Sequence, residues 1–323
     1  MMKIDAVITW VDGDDPRHRT KREKYGDIKS LNRDDVAGNT RYSSLGEIFY
    51  CVASLNRYAP WLNKIYIVTD EQDPMVGDFI AKHFPTGYIP MEVVDHKVIF
   101  RGYEEHLPTF NSISIESMTW RIPGLSEHYI EFNDDLILAA PTRPEDFFTA
   151  EGKVVCYGKR YSSLYVAFSQ VMRRHRDGSK KVSFRQTMRN AAELLGERKR
   201  FIKIYHTPKA LLRSVYERYF NEHADHLLAN IKHRFREPSQ YNVEELQYLI
   251  LNREGRLVMR KAYDELLYLK PKHGTAYISK KLAEFDSKVA HKFGCFNSID
   301  LMTDTGRQLT TEWIERRINI VDK

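Results

Sequence analysis

The chain has 323 residues, 42% of them hydrophobic and 12% aromatic, which excludes wholesale disorder and suffices for one large domain or one plus a smaller lobe. Its 50 Lys and Arg against 44 Asp and Glu leave a net charge of +6, too diffuse to argue for nucleic acid but suited to phosphorylated substrates or an anionic surface. Cys51, Cys156 and Cys295 are odd in number, far apart and without CxxC spacing, which argues against a disulfide framework or a zinc site and for a reducing compartment.

The first residues, MMKIDAVITW, carry Lys3 and Asp5 and only a short apolar run, so they read as a buried strand and not a signal peptide. No run of about 20 apolar residues offers a membrane span. The expectation is a cytoplasmic protein, soluble or peripheral. The strand over Ile4 to Val11 closes on Asp12-Gly13-Asp14-Asp15-Pro16. Asp12 then stands at the mouth of a sheet, within reach of a nucleotide or its metal, unless it serves only an Asp-Gly turn. Residues 17 to 40 are polar and without period, and predict an excursion over the site.

Leu45, Ile48, Phe49, Val52 and Leu55 recur at helical spacing and predict a helix over Tyr42 to Tyr58. Strands are expected at Lys64 to Asp70 and Met91 to His96, with a short helix over 71–83 between them. That alternation predicts parallel pairing with helices on the sheet faces. Leu107 to Ser112 leads into a helix carrying Glu116 and Trp120, with Ser112 as its cap, and Pro123-Gly124 stops it.

Tyr129 to Ala140, YIEFNDDLILAA, organises the rest: an apolar run enters Asn133-Asp134-Asp135 and a second apolar run leaves it. Adjacent carboxylates are costly to bury unless a cation or a proton neutralises them. In open α/β sheets, ligands sit at the C-terminal ends of strands. The three residues therefore read as a platform for a metal or a phosphate; the plain alternative is an Asp-rich turn that satisfies its own backbone.

Beyond Pro141, Glu145 to Phe148 reads as an amphipathic turn and Lys153 to Tyr157 as a strand. Ser162 to His175 receives no assignment, and Arg173 to Lys181 is a polar connection. A helix over Phe184 to Leu195 carries Arg185 and Asn190. Ile202 to His206 leads into Pro208 and a predicted helix with Leu211, Leu212, Val215, Tyr216, Tyr219 and Phe220 on one face. Arg234 and Arg236 precede a helix at Val243 to Asn252, and a guanidinium can grip a phosphate through two parallel hydrogen bonds. Residues 253–292 are loosely patterned, Cys295 to Asp300 reads as a short return to the sheet, and Leu309 to Ile320 as an amphipathic helix.

Taken together, several of these residues resemble one family. Asp5-Ala6-Val7-Ile8-Thr9-Trp10-Val11-Asp12-Gly13 looks like the first conserved region of the Stealth family, which contains bacterial capsular and surface polysaccharide phosphotransferases and the catalytic part of the lysosomal-enzyme GlcNAc-1-phosphotransferase. A second region resembles it through Arg41-Tyr42, Tyr58-Ala59-Pro60-Trp61, Ile65 to Asp70, Asp95-His96, Leu107 to Ser112, Ile115-Glu116, Arg121 to Ser126, Asn133-Asp134-Asp135 and Asp146-Phe147-Phe148. A third is recognisable at Asn190, His206-Thr207-Pro208 and Arg236. A fourth lies at Cys295 to Asp300, where Ser298 stands in a position at which the family commonly has Asp.

The resemblance implies transfer of a sugar-1-phosphate from a UDP-sugar to a glycan hydroxyl, with UMP released, in capsule or surface polysaccharide synthesis. It implies an α/β, Rossmann-like (GT-A-like), mostly parallel sheet over 1–160, with a mainly helical portion over 161–323 packed on it and contributing His and Arg to the same site. By resemblance, Asp134 and Asp135 hold Mg²⁺ or Mn²⁺, His206 is the general base, Arg236 stabilises the transferring phosphoryl group, and Asp12, Asn111, Arg185, Asn190 and Asn297 contact substrate. A metal-dependent glycosyltransferase that releases UDP and a catalytically silent glycan- or nucleotide-binding protein are the rivals. A lipid-linked acceptor would bring the enzyme to the inner face of the membrane, which salt-sensitive co-sedimentation with anionic liposomes would reveal.

Overall fold

The computed structural model describes residues 2–26, 46–165, 183–261, 265–270, 274–287 and 291–320. The unassigned and polar stretches expected over 162–181 fall mostly outside these residues, as do the start of the helix predicted from Tyr42 and most of the excursion over 17–40.

The centre is a five-stranded sheet in the order β3-β2-β1-β4-β8, built from Ile4–Thr9 (β1), Lys64–Thr69 (β2), Met91–Asp95 (β3), His128–Asn133 (β4) and Lys209–Leu212 (β8). The first four are mutually parallel and β8 is antiparallel to β4. β1 and β2 are buried through almost their whole length, as apolar runs sandwiched between layers must be. The helix Glu47–Tyr58 crosses between them and buries Ile48, Cys51, Val52 and Leu55. This is the Rossmann-like, mostly parallel sheet that the strand–helix alternation predicts.

From β1 the chain moves outward to β2 and β3, then returns to lay β4 on the other side of β1. The direction of winding therefore reverses between β1 and β4. Their ends are in register, Thr9 opposite Asn133, so Trp10 and Asp134 leave the sheet side by side. The crevice outside the strand ends at such a reversal is where open α/β sheets take ligands.

YIEFNDDLILAA is not one strand. β4 ends at Asn133, Asp134 and Asp135 form a turn, and Leu136–Leu138 (β5) joins a different sheet of order β10-β11-β5, with Leu266–Leu269 (β10) and Phe293–Phe296 (β11). A third sheet, β7-β6-β9, contains Arg200–Ile204, Val154–Ser162 and Leu257–Arg260. Residues after 160 thus supply strands as well as helices, and β8 completes the central sheet. The helix expected to contain Leu211 and Leu212 begins only at Arg213, because Lys209 to Leu212 pairs with β4 and all four residues are buried there. Tertiary pairing overrides the helical spacing. Among the described residues no helix is long and apolar enough to cross a membrane.

Candidate active site

At the β1–β4 reversal lies a cleft of about 450 Å³, within the size range of small-ligand sites. Its walls include Trp10, His18, His96, Phe110, Ser112, Asn133, Asp134, Asp135, Arg236 and Asn297. Two other hollows, of about 630 and 590 Å³, lie on either side of Pro141 and contain neither the acidic pair nor an aromatic wall facing it, so the chemistry points to the smaller cleft.

Asp134 and Asp135 occupy its floor because the turn after β4 is held from two sides. The Cys51 thiol reaches the Asn133 carbonyl at 3.9 Å, and the Phe296 N–H donates to the Asp135 carbonyl at 3.0 Å. The Cys295 thiol also donates to Asp135 Oδ2 at 3.6 Å. β11 is therefore the clamp that fixes the second carboxylate and brings Asn297 beside it. Both carboxyls are pushed above the ordinary Asp range. For Asp134, withdrawal from water is the largest cause, followed by the charges of Asp135 and Glu47. For Asp135 withdrawal from water again dominates, partly offset by hydrogen bonds from Cys295 and Asn297 and by the Lys209 charge.

Two carboxyls held where ionisation is unfavourable, beside a buried Asn133 Oδ1 that has no hydrogen-bond partner among the described residues, form an all-oxygen donor set. Such a set fits a hard divalent cation, which commonly binds through one or two carboxylates and takes its remaining ligands from water and substrate phosphate. No group of three or more His, Cys, Asp or Glu residues gathers for a metal among the described residues, so a cation here would need amide and substrate oxygens as well.

Arg236 reaches the cleft from a loop more than a hundred residues away in sequence, and its Nη2 donates to Ser112 Oγ at 2.6 Å. The loop is pinned by side-chain amides. Asn111 Nδ2 donates to the carbonyls of His233 and Phe235, each at 3.0 Å, and to Gln240 Oε1 at 2.9 Å. Asn190 Nδ2 donates to the carbonyls of Pro238 and Gln240 at 2.9 and 2.7 Å. Phe110 stacks on Phe235 at 5.3 Å between ring centres. Asn111 and Asn190, expected at the substrate, thus spend their donors on the loop that presents Arg236.

The remaining candidates are placed elsewhere. Asp12 Oδ1 accepts from the Asp14 N–H at 2.9 Å, and its own N–H donates to Gln72 Oε1 at 2.9 Å, which is the Asp-Gly turn of the plainer alternative. Arg185 lies over the Tyr161 ring at 5.4 Å. His206 is absent from the cleft wall and stacks on Tyr268 at 4.6 Å and on Phe184 at 5.6 Å. Tyr268 pairs with Cys295, whose thiol contacts Asp135, so His206 sits one ring and one strand from the acidic pair. Packing between the two rings, then Lys209, Lys270 and Lys203, push its pKa down, although the residue as a whole is exposed to solvent.

Behind the cleft, a lysine and three glutamates that sequence reading did not assemble are buried together. Lys209 pairs with Glu244, while Glu116 and Glu131 lie alongside. Glu116 is raised to about 7, chiefly by burial and then by Glu244, against the pull of Lys209 and Arg236. The one available signal was Glu131 in the middle of an otherwise apolar strand. A carboxyl that holds its proton to pH 7 when folded, but only to 4.5 when unfolded, makes stability fall as pH rises between those values. Glu116→Gln should therefore stabilise the protein by up to about 3 kcal/mol at pH 7.5 and by nothing at pH 4.5. Urea unfolding at both pH values measures this, and equal shifts at the two would refute it.

The comparison with known proteins decides the family. Residues 2–30 match Stealth protein CR1, conserved region 1, and residues 41–156 match Stealth protein CR2, conserved region 2. Exopolysaccharide phosphotransferase cps2G of Lactiplantibacillus plantarum is 30% identical over 271 residues, covering 76% of this chain and 74% of that protein. This chain belongs to the Stealth family. An exopolysaccharide phosphotransferase of Streptomyces coelicolor is 36% identical over 241 residues, covering 74% of this chain and 37% of its own length. Receptor polysaccharide phosphotransferase WefC of Streptococcus oralis is 40% identical over 152 residues, covering 47% and 43%. The chain thus spans about two fifths of the length of these two Stealth relatives. Among solved structures, galactosyltransferase LgtC, in complex with donor and acceptor sugar analogs, aligns at 8% identity and a TM-score of 0.45, covering 99% of this chain and 97% of that one.

Proposed function

We propose that this Stealth chain transfers a hexose-1-phosphate from a UDP-sugar to a hydroxyl of a glycan, or of a lipid-linked oligosaccharide, and releases UMP. The observation that carries the reading is the meeting of Asp134, Asp135 and Arg236 in one cleft at the β1–β4 reversal. The names of the Stealth relatives as polysaccharide phosphotransferases support it.

Transfer forms a bond from the acceptor oxygen to the β-phosphorus and breaks the bond from that phosphorus to the oxygen bridging the two phosphates. The sugar C1–O bond is untouched, so the anomeric configuration of the donor is kept. Phosphoryl transfer needs charge neutralisation and in-line positioning more than covalent catalysis. Mg²⁺ or Mn²⁺, held by Asp134 and Asp135, would supply neutralisation of the diphosphate. Arg236, fixed by Ser112 and the amide-clamped loop, stabilises the transferring oxygens. His206 is assigned the proton of the acceptor hydroxyl by the family resemblance alone, since its ring lies beyond Tyr268 and off the cleft wall.

Incubation with a panel of UDP-sugars, Mg²⁺ and a glycan acceptor tests the reading, with UMP the expected nucleotide product; UDP with an ordinary glycosidic linkage would falsify it. In the same assay His206→Ala should slow transfer to the glycan by roughly 10²- to 10⁴-fold, the usual worth of a general base. A variant that transfers at the parental rate removes His206 from the mechanism.

A further inference from the structure

The cleft has a second end that the chemistry of transfer does not use. His96 follows β3 directly, is 1% exposed, and lines the cleft. Neither its Nδ1 nor its Nε2 meets a hydrogen-bond partner among the described residues. Polar atoms left unpaired in an apolar interior are costly. An imidazole left so beside a ligand-sized cleft is organised for a partner that arrives from outside.

The surroundings restrict what that partner is. Burial holds the ring neutral, with its pKa pushed down to about 4; Asp70 and Asp95 act against this, while His18 and Lys21 add to it. A neutral imidazole offers one N–H donor and one lone pair. The two nearby carboxylates are engaged, Asp70 by Lys21 at 3.4 Å and Asp95 by the backbone N–H groups of Glu71 and Lys97, so this end holds no excess positive charge for a phosphate to answer. The neighbouring walls are flat or apolar: Trp10, Val68, and Phe110 with His18 set edge-on at 5.4 Å. A planar, uncharged group with donors and acceptors on its rim fits these walls.

Spacing says which part of a substrate this is. β3 and β4 are separated by β2 and β1, so their ends stand three strand spacings apart, roughly 14 Å. That is the scale of a nucleoside diphosphate laid across the strand ends from its base to its second phosphate. We propose that His96 reads the nucleobase of the sugar nucleotide, hydrogen-bonding the edge of a pyrimidine laid against Trp10 and Phe110 while the diphosphate extends to Asp134 and Asp135. The inference rests on the UDP-sugar reading above and adds the residue that selects the base.

Calorimetric titration in Mn²⁺ with UDP, CDP, ADP and inorganic pyrophosphate tests it on the intact chain. The parent should prefer UDP, and His96→Ala should lose about tenfold in UDP affinity, bring the three nucleotides toward parity, and bind pyrophosphate as before. His96→Asn, which keeps a donor and an acceptor, should retain most of the preference. In the unaltered protein, UDP should shift the His96 ring resonance, assigned by its loss in His96→Asn, whereas pyrophosphate should not; this readout stands if His96→Ala does not fold. Equal losses for UDP and pyrophosphate, unchanged UDP binding, or a parent indifferent to the base would each overturn the assignment of His96 alone. A parent that binds none of the nucleotides would overturn the donor reading, and the assignment with it.

Discussion

Replacing Asp135 with Asn should lower the rate of UMP release by about a thousandfold, the several kcal/mol that a phosphate-neutralising cation supplies. The same change should also abolish stabilisation by Mn²⁺. In the parent, a cation present at a hundred times its dissociation constant adds about 2.7 kcal/mol, seen as a higher Tm. Protons compete for the same carboxyls, and both are raised above the usual range. The Mn²⁺-dependent rise in Tm should therefore shrink as pH falls from 7.5 to 5. Without cation the sign reverses. Asp134 is held where its charge is unfavourable, so Asp134→Asn should raise the metal-free Tm while removing activity, the signature of a site whose function costs stability. Thermal melts with and without Mn²⁺ measure both effects; a cation-induced shift that survives in Asp135→Asn would place the metal elsewhere.

Arg236→Ala should reduce transfer by about a thousandfold, in line with arginines that stabilise a transferring phosphoryl group. Arg236→Lys should recover little of it, because an ammonium cannot reproduce the planar fork that engages both Ser112 and a phosphate. Asn111→Ala removes three hydrogen bonds from the loop behind Arg236 and the cap on the Ile113 N–H, while Asn111 itself is not part of the cleft wall. It should lower activity less than Arg236→Ala, and combining the two should cost little beyond Arg236→Ala alone, since both act through one guanidinium. Steady-state UMP release from the two single variants and the double variant measures this; independent, multiplicative losses would separate Asn111 from Arg236.

The acidic platform was legible because every cue for it is local. A buried strand followed by Asn133-Asp134-Asp135 is visible in a dozen residues, and the order of strands and helices up to β4 places it at a sheet mouth. Arg236 was legible as a basic residue before a helix, but nothing in its neighbourhood says that it returns to Ser112. Asn111 and Asn190 show the limit from the other side. An amide side chain reads equally as a ligand contact or as a clamp, and only the partner decides. Here the partners are carbonyls 122 and 124 residues away for Asn111 and 48 and 50 away for Asn190.

By itself, then, the sequence determined the parallel core, the acidic turn at its edge and membership of the Stealth family, since side-chain period, turn chemistry and contiguous motifs are written along the chain. Tertiary structure alone decided that Lys209 to Leu212 is a strand, that Asn111 and Asn190 hold the Arg236 loop, that His206 stacks on Tyr268 at one remove from Asp135, and that His96 faces the cleft with no hydrogen-bond partner among the described residues. Each of those depends on which distant segments meet, and pairing across the fold is settled by the burial of whole surfaces, which no short window of residues contains.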